Sequence, residues 1–299
     1  MIQEYEIEQK GGSVKYRLDG ENAVLTGYSG KIIEVEIKDA LAGASVIGVA
    51  KKAFLGAKSL MKVTLPGSIE FMEEWAFASC SQLKELKIIR EEKNFHAISF
   101  AQGVFSKDIK LQKIDMMEND DISVLMGAAP VLLEADYLVD AMMADESDWY
   151  ANWDQRMMEI MQEDDAEGYH KMVLCGEEDL DANIDEYKNM RQRRKCEIIF
   201  LRLLHDSFLD QNRRSAICDY LKAHTCGCTS QAAWEIIRDV HASDRDYCMM
   251  FLNLSMMDDS NFEKILMDLG DRYAEMKSLI MEYHDQHKKE NSFFDSLEL

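Results

Sequence analysis

The densest group of soft metal ligands in the chain is His224-Thr225-Cys226-Gly227-Cys228. An imidazole and two thiolates suit zinc, and Gly227 permits a tight turn. The spacing is Cys-x-Cys rather than Cys-x-x-Cys, and no second pair lies nearby. His170 and Cys175 would have to complete the four ligands across space. The simpler reading is a loop between helices with incidental thiols. His170 and Cys175 also pair a base with a nucleophile, but the sequence offers no orienting group or oxyanion site for them. Asp164-Asp165 and Asp258-Asp259 have the chemistry for calcium or acid–base work. The first pair falls in a polar loop and the second at a helix start, so solvation and capping account for both. Gly30-Lys31 has the ending of a phosphate-binding loop, but Ile32 replaces the Ser or Thr and the upstream glycine is missing. His-Glu-x-x-His and Gly-x-Ser-x-Gly are absent. No catalytic, cofactor or metal residue is assigned on this basis.

Charge narrows the partners. Of the net −22, residues 1–118 hold 16 Lys/Arg against 17 Asp/Glu, while residues 119–299 hold 18 against 39. A field that acidic repels phosphates, which argues against nucleic acid and anionic membranes; it reads first as a device for solubility, and the sharper alternative is attraction of a basic partner protein. The one positive island after residue 119, Arg191-Gln-Arg-Arg-Lys195, follows Asp185 and Glu186 and reads as helix-face pairing at i, i+4 spacing. No basic start leads into an apolar run, and no apolar stretch approaches 18 residues, so neither a signal peptide nor a membrane span is read. Seven cysteines, an odd number, suit free thiols in a reducing, cytoplasmic setting. Of the 20 methionines, 15 follow residue 118, several in adjacent pairs, and read as soft core packing.

These residues must be held by two kinds of element. Near the start one pattern recurs. Ala53-Phe54 leads to Leu60, Val63 and Leu65; Ala76-Phe77 leads to Leu83, Leu86 and Ile88; Val104-Phe105 leads to Leu111, Ile114 and Met116. An earlier copy is Ile32-x-x-Val35-x-Ile37. A period near 23 residues marks a leucine-rich solenoid. In each copy the last two apolar residues alternate with polar ones, as in a strand with one buried face. Phe54, Phe77 and Phe105 should then stack in a column. The outward ladder is Glu34 and Glu36, Lys62 and Thr64, Glu85 and Lys87, Lys113 and Asp115. It is mixed in sign and lacks the Trp, Tyr or Arg of a binding hot spot, so it reads as a solvated face.

Val46-Ile-Gly-Val-Ala-Lys-Lys-Ala-Phe54 and Ile69-Glu-Phe-Met-Glu-Glu-Trp-Ala-Phe77, each followed by Leu-x-x-Val/Leu-x-Leu/Ile, resemble BspA-type leucine-rich repeats over about residues 16–117. The resemblance implies a β-solenoid used for protein contact and no catalytic residues. The third copy departs from the pattern around Arg90–Asn94, so a distorted last coil is expected.

From about residue 121 the period moves toward 3.6. Trp149, Trp153, Met157 and Ile160 share a helical face after Asp145-x-x-Asp148. A helix over about 185–205 carries Tyr187, Met190, Ile198, Leu201 and His205 on one stripe. Asp210, Ser230, Ser243-x-x-Asp246 and Asp259 are candidate helix starts, and Gly270 a stop. Helix-pair starts near 196, 230 and 261 have the spacing of an α-solenoid. The reading is an α+β chain: a leucine-rich-repeat β-solenoid over 1–118, then an acidic helical domain over 119–299. Its expected role is a non-enzymatic protein-interaction or scaffold module. The alternative is a metal-dependent regulator or enzyme using the helical half.

Overall fold

A computed structural model describes residues 3–89, 98–107, 110–116, 120–140, 146–169 and 183–295, with 288–295 described by backbone alone. The chain forms two compact units, Met1–Met158 and Glu159–Leu299.

The first unit opens with an antiparallel meander, β1 (Glu4–Gln9), β2 (Gly12–Asp19) and β3 (Asn22–Gly30). The chain then coils. Strands β3, β6 (Ala44–Val49), β8 (Phe71–Met72) and β10 (Ser99–Phe100) pair in parallel along one side, with the short β5 (Ala40–Leu41) folded back on β6. Along the other side run β4 (Glu34–Glu36), β7 (Lys62–Pro66), β9 (Glu85–Ile89) and β11 (Lys113–Asp115). Val35, Val63, Leu86 and Ile114 align across this second sheet and are buried. The repeat alignment and the strand register coincide, because a one-residue slip would turn every apolar side chain to water. β11 holds this register, so the last coil keeps its strand; Arg90–Asn94 lies outside the described residues.

The phenylalanine column forms as the repeat requires. Ring centroids lie 5.0 Å apart for Phe54 and Phe77 and 6.0 Å for Phe77 and Phe105, all nearly parallel. Tyr28 extends the column by one ring at 6.0 Å from Phe54. No single coil could bury such a ring on both sides, so the column couples each coil to its neighbours.

Three helices close the C-terminal end of the solenoid. In α1 (Asp120–Leu132), Gly127 faces β11, where a Cβ would fall 2.5 Å from the carbonyl carbon of Gln112 and the nitrogen of Lys113. Only glycine lets the helix backbone come that close. The Asp136 carboxylate, just before α2 (Tyr137–Asp140), accepts from the Gly103 N–H at 3.0 Å. In α3 (Glu146–Gln162), Trp149 and Trp153 donate their indole N–H groups to the Leu138 and Leu125 carbonyls at 2.8 and 3.1 Å. Trp149, Trp153, Met157 and Ile160 are buried on one face, as their spacing implies. The composition changes near residue 118 with the change from strand to helix. The compact unit runs further, to Met158, because these helices cover the last coil.

The second unit holds α4 (Ile184–Leu204), α5 (Gln211–Ala223), α6 (Ala232–Asp239), α7 (Arg245–Asn253), α8 (Phe262–Leu269) and α9 (Ala274–Asp295). Hydrogen bonds between successive helix pairs recur at near-constant separation. Thr225 reaches Met256 (31 residues), Lys264 reaches Gln231 (33), Trp234 reaches Asp268 (34), Asn261 reaches Cys226 (35) and Tyr283 reaches Leu252 (31). Asp210 caps α5 by accepting the N–H groups of Asn212 and Arg213, both at 3.0 Å, and Gly270 ends α8 at φ +53°. Two expected caps act elsewhere: Ser230 donates to Gln192 at 2.7 Å, and Asp259 meets His284 at 2.9 Å. The start of α7 is capped by Asp244, between Ser243 and Asp246. In α4 the buried set is Lys195, Cys196, Ile198, Ile199, Phe200, Arg202 and Leu203, whereas Met190 is exposed. Because α4 packs against α5, α6 and α7, its second half is enclosed on several sides and no single stripe describes it.

Candidate interaction surface

The second sheet presents its outward side chains in two straight rows. Glu34, Lys62, Glu85 and Lys113 form one; Glu36, Thr64, Lys87 and Asp115 form the other. Backbone pairing fixes the spacing, so unlike charges meet from rung to rung. Lys62 Nζ lies 3.0 Å from Glu85, Lys87 Nζ 3.3 Å from Asp115, and Lys113 Nζ 2.7 Å from Asp120 at the start of α1. The Asp120 hydrogen bond raises the pKa of Lys113, and the Lys113 hydrogen bond lowers that of Asp120. The ladder is a rigid, polar and largely self-neutralised face.

A different feature stands at the corner of the coil. Trp75 is 41% exposed, with φ +57°, and the ammonium groups of Lys51 and Lys52 lie 4.9 and 5.1 Å from its ring centroid. Its ring covers Gly103 of the next coil, where a Cβ would come within 3.0 Å. Lys52, Trp75 and Gly103 occupy the same place in successive coils, each at positive φ. Trp75 lies outside the strands, so the alternation of the strand ladder does not point to it. The signal was present: an aromatic immediately before Ala76-Phe77, where the other copies carry Lys52 and Gly103.

In the helical unit the candidate ligands are built into separate contacts. His224 stacks on Tyr220 at 4.1 Å, and its Nδ1 lies 2.8 Å from the Tyr220 carbonyl. Cys226 is buried, which pushes its thiol pKa up, and Cys228 Sγ points to the Lys222 carbonyl at 3.5 Å. Among the described residues no three His, Cys, Asp or Glu side chains converge on a metal position. His170 and Cys175 lie outside the described residues. Asp164 closes a turn on the Ala166 N–H at 2.8 Å, and Asp258 caps the Ser260 and Asn261 N–H groups at 2.8 and 3.2 Å. The Ser260 hydrogen bonds hold the Asp258 carboxyl below its ordinary pKa.

The basic run is internal cement rather than a free patch. Lys195, 3% exposed, donates to the Glu163 carbonyl at 2.6 Å and to Asp165 at 2.7 Å. Arg191 pairs with Glu163, and Arg193 with Glu235 and Asp239 at 3.2 and 3.0 Å. These partners lie on other elements, not at i, i+4 on the same helix. The methionines divide in the same way: Met157, Met256, Met257 and Met276 pack in the core, while Met190 and Met267 are exposed.

Residues 29–124 match the family model of the BspA type leucine rich repeat region, in six copies. No curated protein matches the chain. Among solved structures, a T. pallidum leucine rich repeat protein is 28% identical over 37% of this chain and 49% of its own, with a TM-score of 0.31. A leucine-rich repeat protein from Bacteroides capillosus is 24% identical over 28% of this chain and 64% of its own, TM-score 0.24. A leucine rich cell surface protein from Faecalibacterium prausnitzii is 15% identical over 37% and 42%, TM-score 0.28. The chain thus spans about half to two thirds of the lengths of the first two.

Proposed function

We propose that this chain, which carries a BspA-type leucine-rich repeat region over residues 29–124, is a non-enzymatic protein-binding module that presents the repeat unit to a partner protein in a reducing compartment. The observation that carries the reading is the register of the solenoid. The backbone ladder holds eight outward side chains in two straight rows, with Trp75 at the corner beside two lysines. Such a surface needs little ordering when a partner docks, so little conformational entropy is lost on binding. An exposed aromatic beside cations is also the residue type that anchors interfaces. The compartment rests on the odd count of seven cysteines in a chain large enough to fold without disulfide staples.

The test is co-purification of the full chain with a partner from its native cells, followed by reconstitution from the two purified proteins. Trp75→Ala should weaken the reconstituted complex by about tenfold or more, as truncation of an aromatic anchor does. A complex that forms equally well after deletion of the whole first unit, residues 1–158, would overturn the assignment of binding to the repeat unit.

A further inference from the structure

The solenoid is closed at its C-terminal end by α1–α3, but its N-terminal end finishes on an open strand. Among the described residues, β1 is the outermost strand of the larger sheet and pairs with β2 alone. In an antiparallel pair, alternate residues direct their N–H and C=O groups away from the partner strand. Every other residue of the six-residue β1 therefore turns its N–H and C=O to an edge left unpaired among the described residues, a template for another chain.

The side chains of this edge are sorted by face. Glu4, Glu6 and Glu8 are exposed on one face; Tyr5, Ile7 and Gln9 are half-buried on the other. Tyr5 stacks on the buried Tyr16 of β2 at 5.4 Å, so the half-buried face continues the apolar side of the sheet. On the acidic face, β2 sets Arg17 opposite Glu4, Lys15 opposite Glu6 and Ser13 opposite Glu8. Lys15 Nζ lies 3.8 Å from Glu6, and Ser13 donates to Glu6 at 2.9 Å. Charge on this face thus passes from positive on β2 to negative on the edge strand β1.

An acidic edge also discriminates. A second copy pairing β1 against β1 would set glutamate rows side by side, and like charges across strands destabilise pairing. The edge is protected against self-association while remaining attractive to cations.

We propose that β1 accepts an extended segment of a basic partner protein, in which Lys or Arg alternates with apolar residues. Its cations stand beside Glu4, Glu6 and Glu8, its apolar residues extend the Tyr5–Ile7 face, and its backbone pairs with the open edge. This is recognition by strand addition, with main-chain bonds for affinity and alternate side chains for specificity. The inference rests on the protein-binding reading above and gives it a site and a partner chemistry.

The probe is a fluorescently labelled seven-residue peptide, Lys-Val-Lys-Val-Lys-Val-Lys with blocked ends, titrated into the full chain at fixed salt. A block-ordered peptide of the same composition is the control, because the strongly acidic second unit attracts any cation. The alternating peptide should bind about tenfold more tightly than the block peptide, and E4Q/E6Q/E8Q should remove about that margin. Binding should also slow hydrogen exchange at residues 4–9. Equal binding of the two peptides, no effect of the triple substitution, or no binding would each overturn the proposal. If the natural partner still binds E4Q/E6Q/E8Q unchanged, the edge is excluded while the protein-binding reading stands.

Discussion

In the repeat unit, each coil is tied to the next by backbone hydrogen bonds and by a ring in the phenylalanine column. In the helical unit, successive pairs are tied by side chains: Thr225 to Met256, Asn261 to Cys226, Trp234 to Asp268. The difference decides where each unit is fragile. Backbone pairing depends little on the identity of outward side chains, so the solenoid surface is free to vary while its column is not. Side-chain anchors make the helical unit sensitive at a few buried polar positions, because every lost partner leaves a buried group unpaired.

Phe77→Ala is the strongest challenge to this contrast. Phe77 is fully buried between two stacked rings, and its loss should cost about 4 kcal/mol by cavity formation. Because the column runs through all the coils, hydrogen exchange should accelerate in the coils of Phe54 and Phe105 as well as its own. A change confined to the coil of Phe77 would show that the backbone ladder alone holds the coils.

Asn261→Ala is the counterpart in the helical unit. The Asn261 amide donates to the Cys226 and Met256 carbonyls, both at 3.1 Å, and its oxygen accepts the Asp258 N–H at 3.0 Å. The side chain is buried, so truncation should cost about 2 kcal/mol, read from urea unfolding. Peptide-resolved hydrogen exchange should place the loss in residues 211–269. A negligible loss would mean that apolar packing, not polar anchoring, sets the register of the helix pairs.

The same contrast explains what could be read in the sequence. Repetition made the solenoid legible, since each copy puts the same residue type at the same place: Val35, Val63, Leu86 and Ile114 inward, Phe54, Phe77 and Phe105 in the column. The antiparallel β1–β2 hairpin carries no repeat and lay outside that pattern. Local caps such as Asp210 and Gly270 were legible because their partners are neighbours in the chain. Ser230, Asp259 and Lys195 were not, because their partners lie 38, 25 and 30 residues away. Glu4, Glu6 and Glu8 were visible as residues, but their meaning comes from β1 being the end of a sheet, which only topology supplies.

A smaller effect tests the coil corners. Gly56 and Ser79 occupy the same place in successive coils, with φ +71° and +61°, and their N–H groups make the same ladder contact, to Ala78 and Ser106. An L side chain is strained there, so Ser79→Gly should stabilise the repeat unit by about 0.5 kcal/mol after the entropy cost of glycine. Destabilisation would show that the Ser79 side chain contributes a contact worth more than the strain.

The smallest effect belongs to the outward ladder, and it bears most directly on function. Lys62 and Glu85 pair at 3.0 Å with side chains 41% and 28% exposed, so Lys62→Ala should cost about 0.5 kcal/mol or less in a thermal melt. That small value would mean the charge rows are not needed to hold the coils together. Their alternation could then be shaped by contact with other molecules without loss of the fold. A cost of several kcal/mol would instead make the rows part of the register mechanism, and the surface would no longer be free to serve a partner. The β1 edge separates the two cases from the other side: among the described residues its glutamates have no further strand to hold, so any binding role they have is independent of the register of the coils.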